Sequence, residues 1–286
     1  MIIVNLMGGV GNQMFQYALG RYLSVLSNQD LFLNTNIYDT GQSNRNFDLD
    51  IFKLSKQVQG DTEKALDILS VNSPVVQLNE RFFHYDLMQI NQVKKLFLSK
   101  SEKFKPHVIL TGYWQSYKYF KEIEYILRED FHFNSPLYGK WSTLNEEILG
   151  TNSIMINIRR GDYLQKLNYH GVVDLYYINA AIKLMKERVD NPKFYVFSDD
   201  MDWCQSNIVN NENMVFVGEE YYDPKYQFYL QLMKNCKHFV ISNSSFSWWS
   251  AWLSSSKNKI VIAPKKWFVV DHLDTIDLIP SDWITI

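Results

Sequence analysis

Two arginines stand directly after an apolar run that ends at residue 158. Arg159 and Arg160 are followed by Gly161 and Asp162. Open α/β sheets bind ligands at the carboxyl ends of their strands, and the planar guanidinium fork suits a diphosphate. The pattern predicts an anion site made by Arg159 and Arg160, in which Asp162 holds one guanidinium group. A surface arginine pair with a salt bridge is the alternative.

A glycine cluster follows the first predicted strand, residues 2–7. The run from Gly8 to Asn12 leads into a helical pattern that begins near Gln13. Glycines let a ligand approach the backbone, and a helix N-terminus offers N–H groups and partial positive charge. A dinucleotide fingerprint would need a glycine at Met14. Taken alone, this segment fits an anion site and a ligand-free tight turn equally well.

A third strand–helix junction carries small hydroxylated residues. It consists, in order, of Ser242, Asn243, Ser244, Ser245 and Phe246. Such a helix start offers hydroxyl donors as well as N–H donors to an anion. The three junctions together predict a cleft that binds a nucleotide diphosphate.

Acidic residues after the predicted strand 194–197 allow a different chemistry. The segment Ser198–Asp202 holds Asp199, Asp200 and Asp202, and carboxylates there could hold Mg²⁺ against phosphates. A helix cap at Asp199 or Asp200 is the alternative. Because the arginines and helix starts already supply positive charge, we favour a site that needs neither a metal ion nor a cofactor.

Length and composition bound the fold. The 286 residues are enough for two domains, and a formal charge of −2 gives no net field that would attract nucleic acid. Two cysteines are too few for a disulfide framework, and no apolar run reaches membrane-spanning length. Strands alternate with helices on both sides of a candidate linker at 135–139, which predicts parallel sheets. We predict an α/β fold of two Rossmann-like domains facing a cleft, residues 1–138 and 139–286.

Five segments resemble motifs of the bacterial α-1,2-fucosyltransferase family, glycosyltransferase family 11. They keep the family order and cover nearly the whole chain. They are Gly8–Ala18, Gly112–Ser116 with Tyr119 and Phe120, Arg159–Tyr163, Phe197–Asp200 and Ser242–Leu253. The resemblance implies a GT-B-like fold and an inverting, metal-independent transfer of L-fucose from GDP-β-L-fucose to a glycan hydroxyl.

The resemblance also implies roles for single residues. Arg159 would bind the β-phosphate, Asn12 would lie near the donor, and Ser244 and Ser245 would lie near its phosphates. Arg159 and Asp162 are the predicted catalytic residues, because charge on the leaving diphosphate needs electrostatic stabilisation. The predicted donor-binding set is Gly11, Asn12, Gln13, Asn157, Arg159, Arg160, Ser198, Asp199, Asp200, Asn243, Ser244, Ser245 and Phe246.

The other partners follow from the same resemblance. We expect the N-terminal domain on the acceptor side and an oligosaccharide or lipid-linked glycan of a surface polysaccharide, O-antigen or capsule, as acceptor. This favours a bacterial cytoplasmic enzyme, with peripheral association at the inner membrane as an option. The catalytic base stays open among Asp162, His170 and Asp174. A transferase for another nucleotide-sugar and a non-catalytic glycan-binding module are the alternatives.

Two positions depart from the family pattern. Asn157 stands where the family usually has histidine, and Tyr229 stands where it usually has aspartate. In relatives these positions are associated with guanine, and a tyrosine cannot accept both guanine N–H groups as a carboxylate does. We therefore expect weaker discrimination between GDP and other nucleoside diphosphates than relatives have.

Overall fold

The computed structural model describes residues 1–54, 57–60, 74–98, 105–209 and 212–286. The chain divides into two units, 1–134 with 274–279 and 135–273 with 280–286. This division differs from the predicted one in two places. Residues 135–138 belong to the second unit, and segment 274–279 belongs to the first. The segment is bound there because Asp277 pairs with Lys118 and its backbone oxygen accepts from Ser116 Oγ at 2.9 Å.

The first unit is a parallel sheet with helices. Its strands are β1 (Ile2–Asn5), β2 (Leu31–Asn34), β3 (Gln57–Gly60), β4 (Val75–Asn79) and β5 (His107–Thr111). Its helices are α1 (Val10–Ser27), α2 (Asn36–Asp39), α3 (Leu87–Leu98) and α4 (Glu124–Asp130). The strand order is β3-β2-β1-β5-β4, and every pairing is parallel.

The centre of this unit is the contact between α1 and β1. Ile2, Ile3 and Val4 are fully buried, and β1 is paired with β2 and β5 on its two edges. Only a glycine fits at position 20 of α1, because a Cβ there would lie 2.4 Å from Val4 Cγ2. This close packing fixes the position of the helix that begins directly after β1.

The second unit repeats the architecture with six strands. They are β6 (Asn152–Ile158), β7 (Pro192–Ser198), β8 (Met214–Val217), β9 (His238–Val240), β10 (Val261–Ala263) and β11 (Ile284–Thr285). The helices are α5 (Gly139–Gly150), α6 (Leu175–Arg188), α7 (Met201–Asn207), α8 (Gln227–Asn235) and α9 (Ser245–Leu253). The order is β11-β10-β9-β6-β7-β8, again all parallel, which confirms the predicted parallel α/β class.

The segment before α4 is not a continuous α-helix. Two 3-10 turns, Tyr117–Tyr119 and Lys121–Ile123, precede α4. Both cysteines are buried and free, as expected for a chain without a disulfide framework. In the part of the chain that the structure describes, no helix is long and apolar enough to cross a membrane.

Candidate functional site

Each sheet has one place where the strand order reverses. In the first unit the chain runs from β1 to β2 and β3 on one side, and β5 lies on the other side of β1. In the second unit it runs from β6 to β7 and β8, and β9 lies on the other side of β6. We call the loops after β1 and β5 the first switch point, and those after β6 and β9 the second switch point. Open parallel sheets bind ligands at such points, beyond the carboxyl ends of the strands.

Arg159 is held at the second switch point by two carboxylates. Its Nη2 donates to Asp162 Oδ1 at 2.6 Å, and its Nη1 lies 2.9 Å from Asp199 Oδ2. Its guanidinium carbon lies 5.5 Å from the centre of the Tyr163 ring. The side chain keeps 26% of its surface exposed. The guanidinium plane is thus fixed but partly accessible, which suits bidentate binding of a phosphate.

Asp199 links the two arginines through one carboxylate. Its Oδ1 accepts from the backbone N–H of Arg160 at 2.8 Å, while its Oδ2 pairs with Arg159. Gly161 makes this possible, because a Cβ there would lie 2.4 Å from Asp199 Oδ2. The structure therefore gives Asp199, predicted to bind donor, the role of orienting Arg159.

Arg160 has different partners from Arg159. Its Nε donates to Asp200 Oδ2 at 3.0 Å, and its guanidinium carbon lies 4.0 Å above the Trp203 ring centre. Asp200 Oδ1 also accepts from the Trp203 N–H at 3.3 Å, so the alternative interpretation of Asp200 as a helix cap is confirmed. Arg160 thus links the end of β6 to α7. The Asp200 carboxylate accepts hydrogen bonds from the Arg160 side chain and from the Trp203 N–H.

Asn157 and Tyr229, the two residues that depart from the family pattern, both form hydrogen bonds that connect the ends of strands. Asn157 Nδ2 donates to the Phe197 oxygen at 3.3 Å, and its Oδ1 accepts from Ser242 Oγ at 2.7 Å. The Tyr229 hydroxyl accepts from the Ser198 N–H at 2.9 Å and donates to the β8 end at 3.0 Å. Burial raises the pKa of Tyr229 well above its ordinary value, so this hydroxyl stays protonated.

Ser198, predicted to bind donor, is enclosed by the same network. It is 2% exposed, and its Oγ accepts from the Asp200 N–H at 2.9 Å. Tyr222 donates to its backbone oxygen at 2.5 Å. Through these hydrogen bonds Ser198 stabilises the turn after β7.

The loop after β9 brings polar groups to the start of α9. Asn243 is 4% exposed, and its Nδ2 donates to the backbone oxygens of His170 and Trp267 at 2.8 and 3.0 Å. Its Oδ1 is buried and has no hydrogen-bond partner among the described residues. Ser244 is the N-cap residue of α9, yet its hydroxyl makes no capping bond. Ser245 and Phe246 form the first turn, where N–H groups lack intrahelical partners.

The three candidates for a catalytic base have distinct surroundings. Asp174 caps α6, because its Oδ1 accepts from the Tyr177 N–H at 2.8 Å. Asp162 is bonded to Arg159. The His170 ring stacks on the Tyr163 ring with centroids 4.3 Å apart, and burial lowers its pKa below the ordinary histidine value, which keeps it neutral at pH 7. The identity of the base stays a prediction.

The first switch point differs from its predicted form. Helix α1 begins at Val10, so Gly11, Asn12 and Gln13 lie in its first turn and not in a loop. Gly8 has φ +75°, and a Cβ there would lie 2.5 Å from Asn12 Nδ2. The glycine is needed both for the backbone conformation and for the space that Asn12 occupies.

Gln13 is a structural residue in this arrangement. Its side chain is fully buried, and its Nε2 donates to the backbone oxygens of Gly8 and Asn46 at 3.0 and 2.7 Å. Its Oε1 accepts from the Asp48 N–H at 3.0 Å. Gln13 therefore holds the loop before α1, and the buried Gly11 adds only backbone to this turn.

Sequence reasoning missed one polar residue at the first switch point. Gln115 Nε2 donates to Asn12 Oδ1 at 2.7 Å, which joins the loop after β5 to the first turn of α1. Gln115 lies in the Gly112–Ser116 motif but was not placed in the site. The pairing of β5 with β1 would have been the signal, since it brings the two strand ends together.

The two parallel α/β units have the GT-B-like fold of solved fucosyltransferase structures. The fucosyltransferase NodZ from Bradyrhizobium matches with a TM-score of 0.55 at 13% identity, over 87% of this chain and 92% of NodZ. NodZ, an alpha-1,6-fucosyltransferase, has also been crystallised and soaked with GDP-fucose.

The chain belongs to glycosyltransferase family 11, whose family model, Glycosyl transferase family 11, matches residues 1–286. It is 34% identical over 311 residues to an alpha-1,2-colitosyltransferase of Escherichia coli, covering 100% of this chain and 98% of the relative. It is 27% identical over 306 residues to the O-antigen biosynthesis glycosyltransferase WbnK of Escherichia coli, covering 98% and 99%. The family resemblance stated from the sequence is thereby confirmed.

Proposed function

We propose that this glycosyltransferase moves L-fucose from GDP-β-L-fucose to a glycan hydroxyl, forming an α-1,2 linkage. The observation that carries the proposal is Arg159, whose guanidinium is clamped by Asp162 and Asp199 and is partly exposed at the second switch point. GDP as the nucleotide is supported by the GDP-fucose soaked into NodZ, which shares the fold.

A second donor is favoured by one specific observation. The 34% identity to an alpha-1,2-colitosyltransferase extends over the whole chain. Colitose is L-fucose without its 3-hydroxyl group, so a site built for either sugar needs the same diphosphate contacts. GDP-colitose is therefore the alternative donor for the same mechanism.

In the proposed mechanism the acceptor hydroxyl attacks the anomeric carbon from the face opposite the diphosphate and inverts its configuration, the bond to the diphosphate breaks, and the hydroxyl proton passes to the base, for which Asp162, His170 and Asp174 are the candidates. Negative charge builds on the β-phosphate oxygens as the bond to the sugar breaks. Arg159 stabilises this charge, together with the N-terminal end of α9 and the Ser244 hydroxyl. These groups take the place that a divalent cation has in metal-dependent transferases, so we propose that transfer needs no metal.

The acceptor is proposed to be a glycan of a surface polysaccharide. The relative WbnK supports this, since its name assigns it to O-antigen biosynthesis. We propose an oligosaccharide or lipid-linked acceptor, handled in the bacterial cytoplasm where nucleotide-sugars are made.

The test is a transfer assay with purified protein. GDP-fucose, GDP-colitose, UDP-galactose and dTDP-rhamnose are each offered with a panel of methyl glycosides, in buffer with excess EDTA and in buffer with Mg²⁺. We expect transfer from GDP-fucose in both buffers. Transfer only from UDP- or dTDP-sugars would contradict the proposal that the donor is a GDP-sugar. Activity that is lost in EDTA and restored by Mg²⁺ would contradict the metal-free mechanism.

A further inference from the structure

Three tyrosines cluster beside the carboxyl ends of β7 and β8. The Tyr226 ring lies 5.4 Å from the Tyr222 ring and 6.1 Å from the Tyr229 ring, measured between ring centres. The Tyr222 hydroxyl donates to the Ser198 oxygen at the end of β7. The Tyr229 hydroxyl donates to the Val217 oxygen at the end of β8. Tyr226 is 42% exposed and is the most exposed member of this tyrosine cluster.

The backbone holds Tyr226 in a conformation that bulky residues rarely adopt. Its φ is +55°, and among the described residues the other aromatic residue with a positive φ is Trp114, which is 1% exposed. The Asp223 carboxylate fixes this turn by accepting from the N–H groups of Gln227 and Phe228 at 2.9 and 3.0 Å. Burial of a ring in the core can offset such strain, but the Tyr226 ring is only partly buried. Strained residues that their surroundings hold in place are typical of functional sites.

The two neighbouring tyrosine rings are not stacked on Tyr226. Its plane is inclined by 53° to the Tyr222 ring and by 73° to the Tyr229 ring. The first contact is tilted and the second is edge-on, so neither ring lies parallel over a face of Tyr226. Nucleotide bases stack on aromatic side chains through their π-faces, and such stacking tolerates every base. A partly exposed ring on a fixed turn offers the surface that a base needs.

The tyrosine cluster is adjacent to the arginine site. Burial and the nearby Tyr226 and Asp199 groups raise the pKa of Tyr222 to about 12. Asp199 in turn pairs with Arg159 at 2.9 Å. On the other side of Arg159, the end of β9 leads to Ser244 and the first turn of α9, which offer hydroxyl and N–H donors to phosphate oxygens. The ends of β7 and β8 offer aromatic rings instead, which suit the base at the other end of a nucleotide.

We propose that the Tyr226 ring is the stacking platform for the base of the donor nucleotide. The base lies against the ring face and is held by stacking, so that Tyr226 contributes affinity for any base and little choice between bases. The inference rests on the proposed function, because it takes a nucleoside diphosphate at Arg159 as given. It also gives a physical cause for the expected weak discrimination between GDP and other nucleoside diphosphates.

The experiment compares Tyr226→Gly with a matched control, Tyr138→Gly. Glycine adopts φ +55° without strain, so Tyr226→Gly removes the ring and keeps the backbone conformation. Tyr138 precedes α5 as Tyr226 precedes α8, is 58% exposed, and has its ring centre 5.2 Å from that of Phe228 in α8. Tyr226→Phe keeps the ring without the hydroxyl group. The probes are GDP, ADP, UDP and inorganic pyrophosphate, titrated by calorimetry, and melting temperatures are measured in parallel.

We expect Tyr226→Gly to weaken the binding of GDP, ADP and UDP about tenfold each and that of pyrophosphate by less than about twofold, because pyrophosphate has no base. Tyr226→Phe and Tyr138→Gly should keep all four affinities within about twofold of wild type. Tyr226→Trp gives a second readout. Its fluorescence should be quenched by GDP beyond the wild-type response, and pyrophosphate should add no such quenching.

Three results with Tyr226→Gly would overturn the platform. The first is an unchanged GDP affinity in a variant that melts within a few degrees of the control. The second is an equal loss for GDP and pyrophosphate, which would show that the ring supports the arginine site. The third is a loss for GDP alone, which would show a guanine-specific hydrogen bond. If Tyr226→Gly does not fold, Tyr226→Trp decides, because GDP that adds no quenching there also overturns the platform.

Wild-type protein separates the platform from the proposed function on which it depends. Pyrophosphate that binds as tightly as GDP would contradict the platform and leave the diphosphate site in place. Binding of neither GDP nor pyrophosphate would contradict the proposed function, and the platform with it.

Discussion

The two switch points are built on the same plan but differ in charge. Each lies beside the first strand of its unit, and each contains a glycine that leaves room for another side chain: Gly8 for Asn12 and Gly161 for Asp199. The second then presents Arg159 between two carboxylates, while the first presents the carboxamides of Asn12 and Gln115. The comparison teaches that the same topology can carry a charged or a neutral set of side chains at the same position, and that a few residues decide which.

The largest expected effect separates the two arginines of the second switch point. Arg159→Lys should lower kcat/KM by roughly a hundredfold or more, because a lysine point charge cannot reproduce the bidentate fork. Arg160→Lys, its matched control, should keep most turnover and lower the melting temperature instead, since Arg160 pairs with Asp200 and stacks on Trp203. Steady-state kinetics and thermal melts measure both. Near-normal turnover in Arg159→Lys would remove that residue from the mechanism.

A smaller effect, on GDP affinity, is expected when Gly161 is replaced by alanine. Gly161→Ala should weaken GDP binding roughly tenfold, because its Cβ would push Asp199 away from Arg159. Gly9→Ala is the control in the other unit: Gly9 has φ −83°, and a Cβ there meets nothing within 4 Å. Calorimetry with GDP on both variants measures the difference. Equal affinities would mean that Arg159 does not depend on Asp199 for its orientation.

The smallest effect is in salt dependence. Raising the ionic strength from about 0.05 to 0.5 M should weaken GDP binding several-fold, since screening acts on the contact between arginine and diphosphate. The KM for a neutral glycan acceptor should change less, because screening acts on contacts between charges. Titrations in NaCl check both. A parallel loss for the two ligands would erase the proposed difference in charge.

The second switch point was predictable because its signals are local. Arg159, Asp162 and Ser244 each follow an apolar run that is a buried strand, so the sequence pattern alone places them at the sheet edge. The roles of Asp199 and Asp200 were harder to predict. Whether a carboxylate faces a ligand or an arginine depends on partners about 40 positions away along the chain.

The first switch point was less predictable because its contacts are distant in sequence. Gln115 meets Asn12 across 103 positions, through the pairing of β5 with β1. The strands β2 and β4 were not predicted either. Both are short, and β4 lies at the sheet edge with a mostly exposed or half-buried surface, so its sequence lacks a continuous apolar run.

The structure also adds contacts of Tyr229 that the resemblance does not imply. Its position was associated with guanine, but its hydroxyl is bonded to the ends of β7 and β8. A substituted side chain can take up a bond to the surrounding backbone that no family pattern records. The expected weak selectivity for guanine therefore stays a prediction about GDP and its competitors.

The most direct test of the account is calorimetric titration of GDP, UDP, ADP and dTDP into wild-type protein and Arg159→Lys. We expect GDP to bind wild type most tightly, with a narrow margin over the other nucleotides. Arg159→Lys should weaken every nucleoside diphosphate by a similar factor of at least about tenfold, because the proposed contact of the arginine is with the shared diphosphate. Nucleotide binding that is equally tight in Arg159→Lys would contradict the central claim that the second switch point is the diphosphate site.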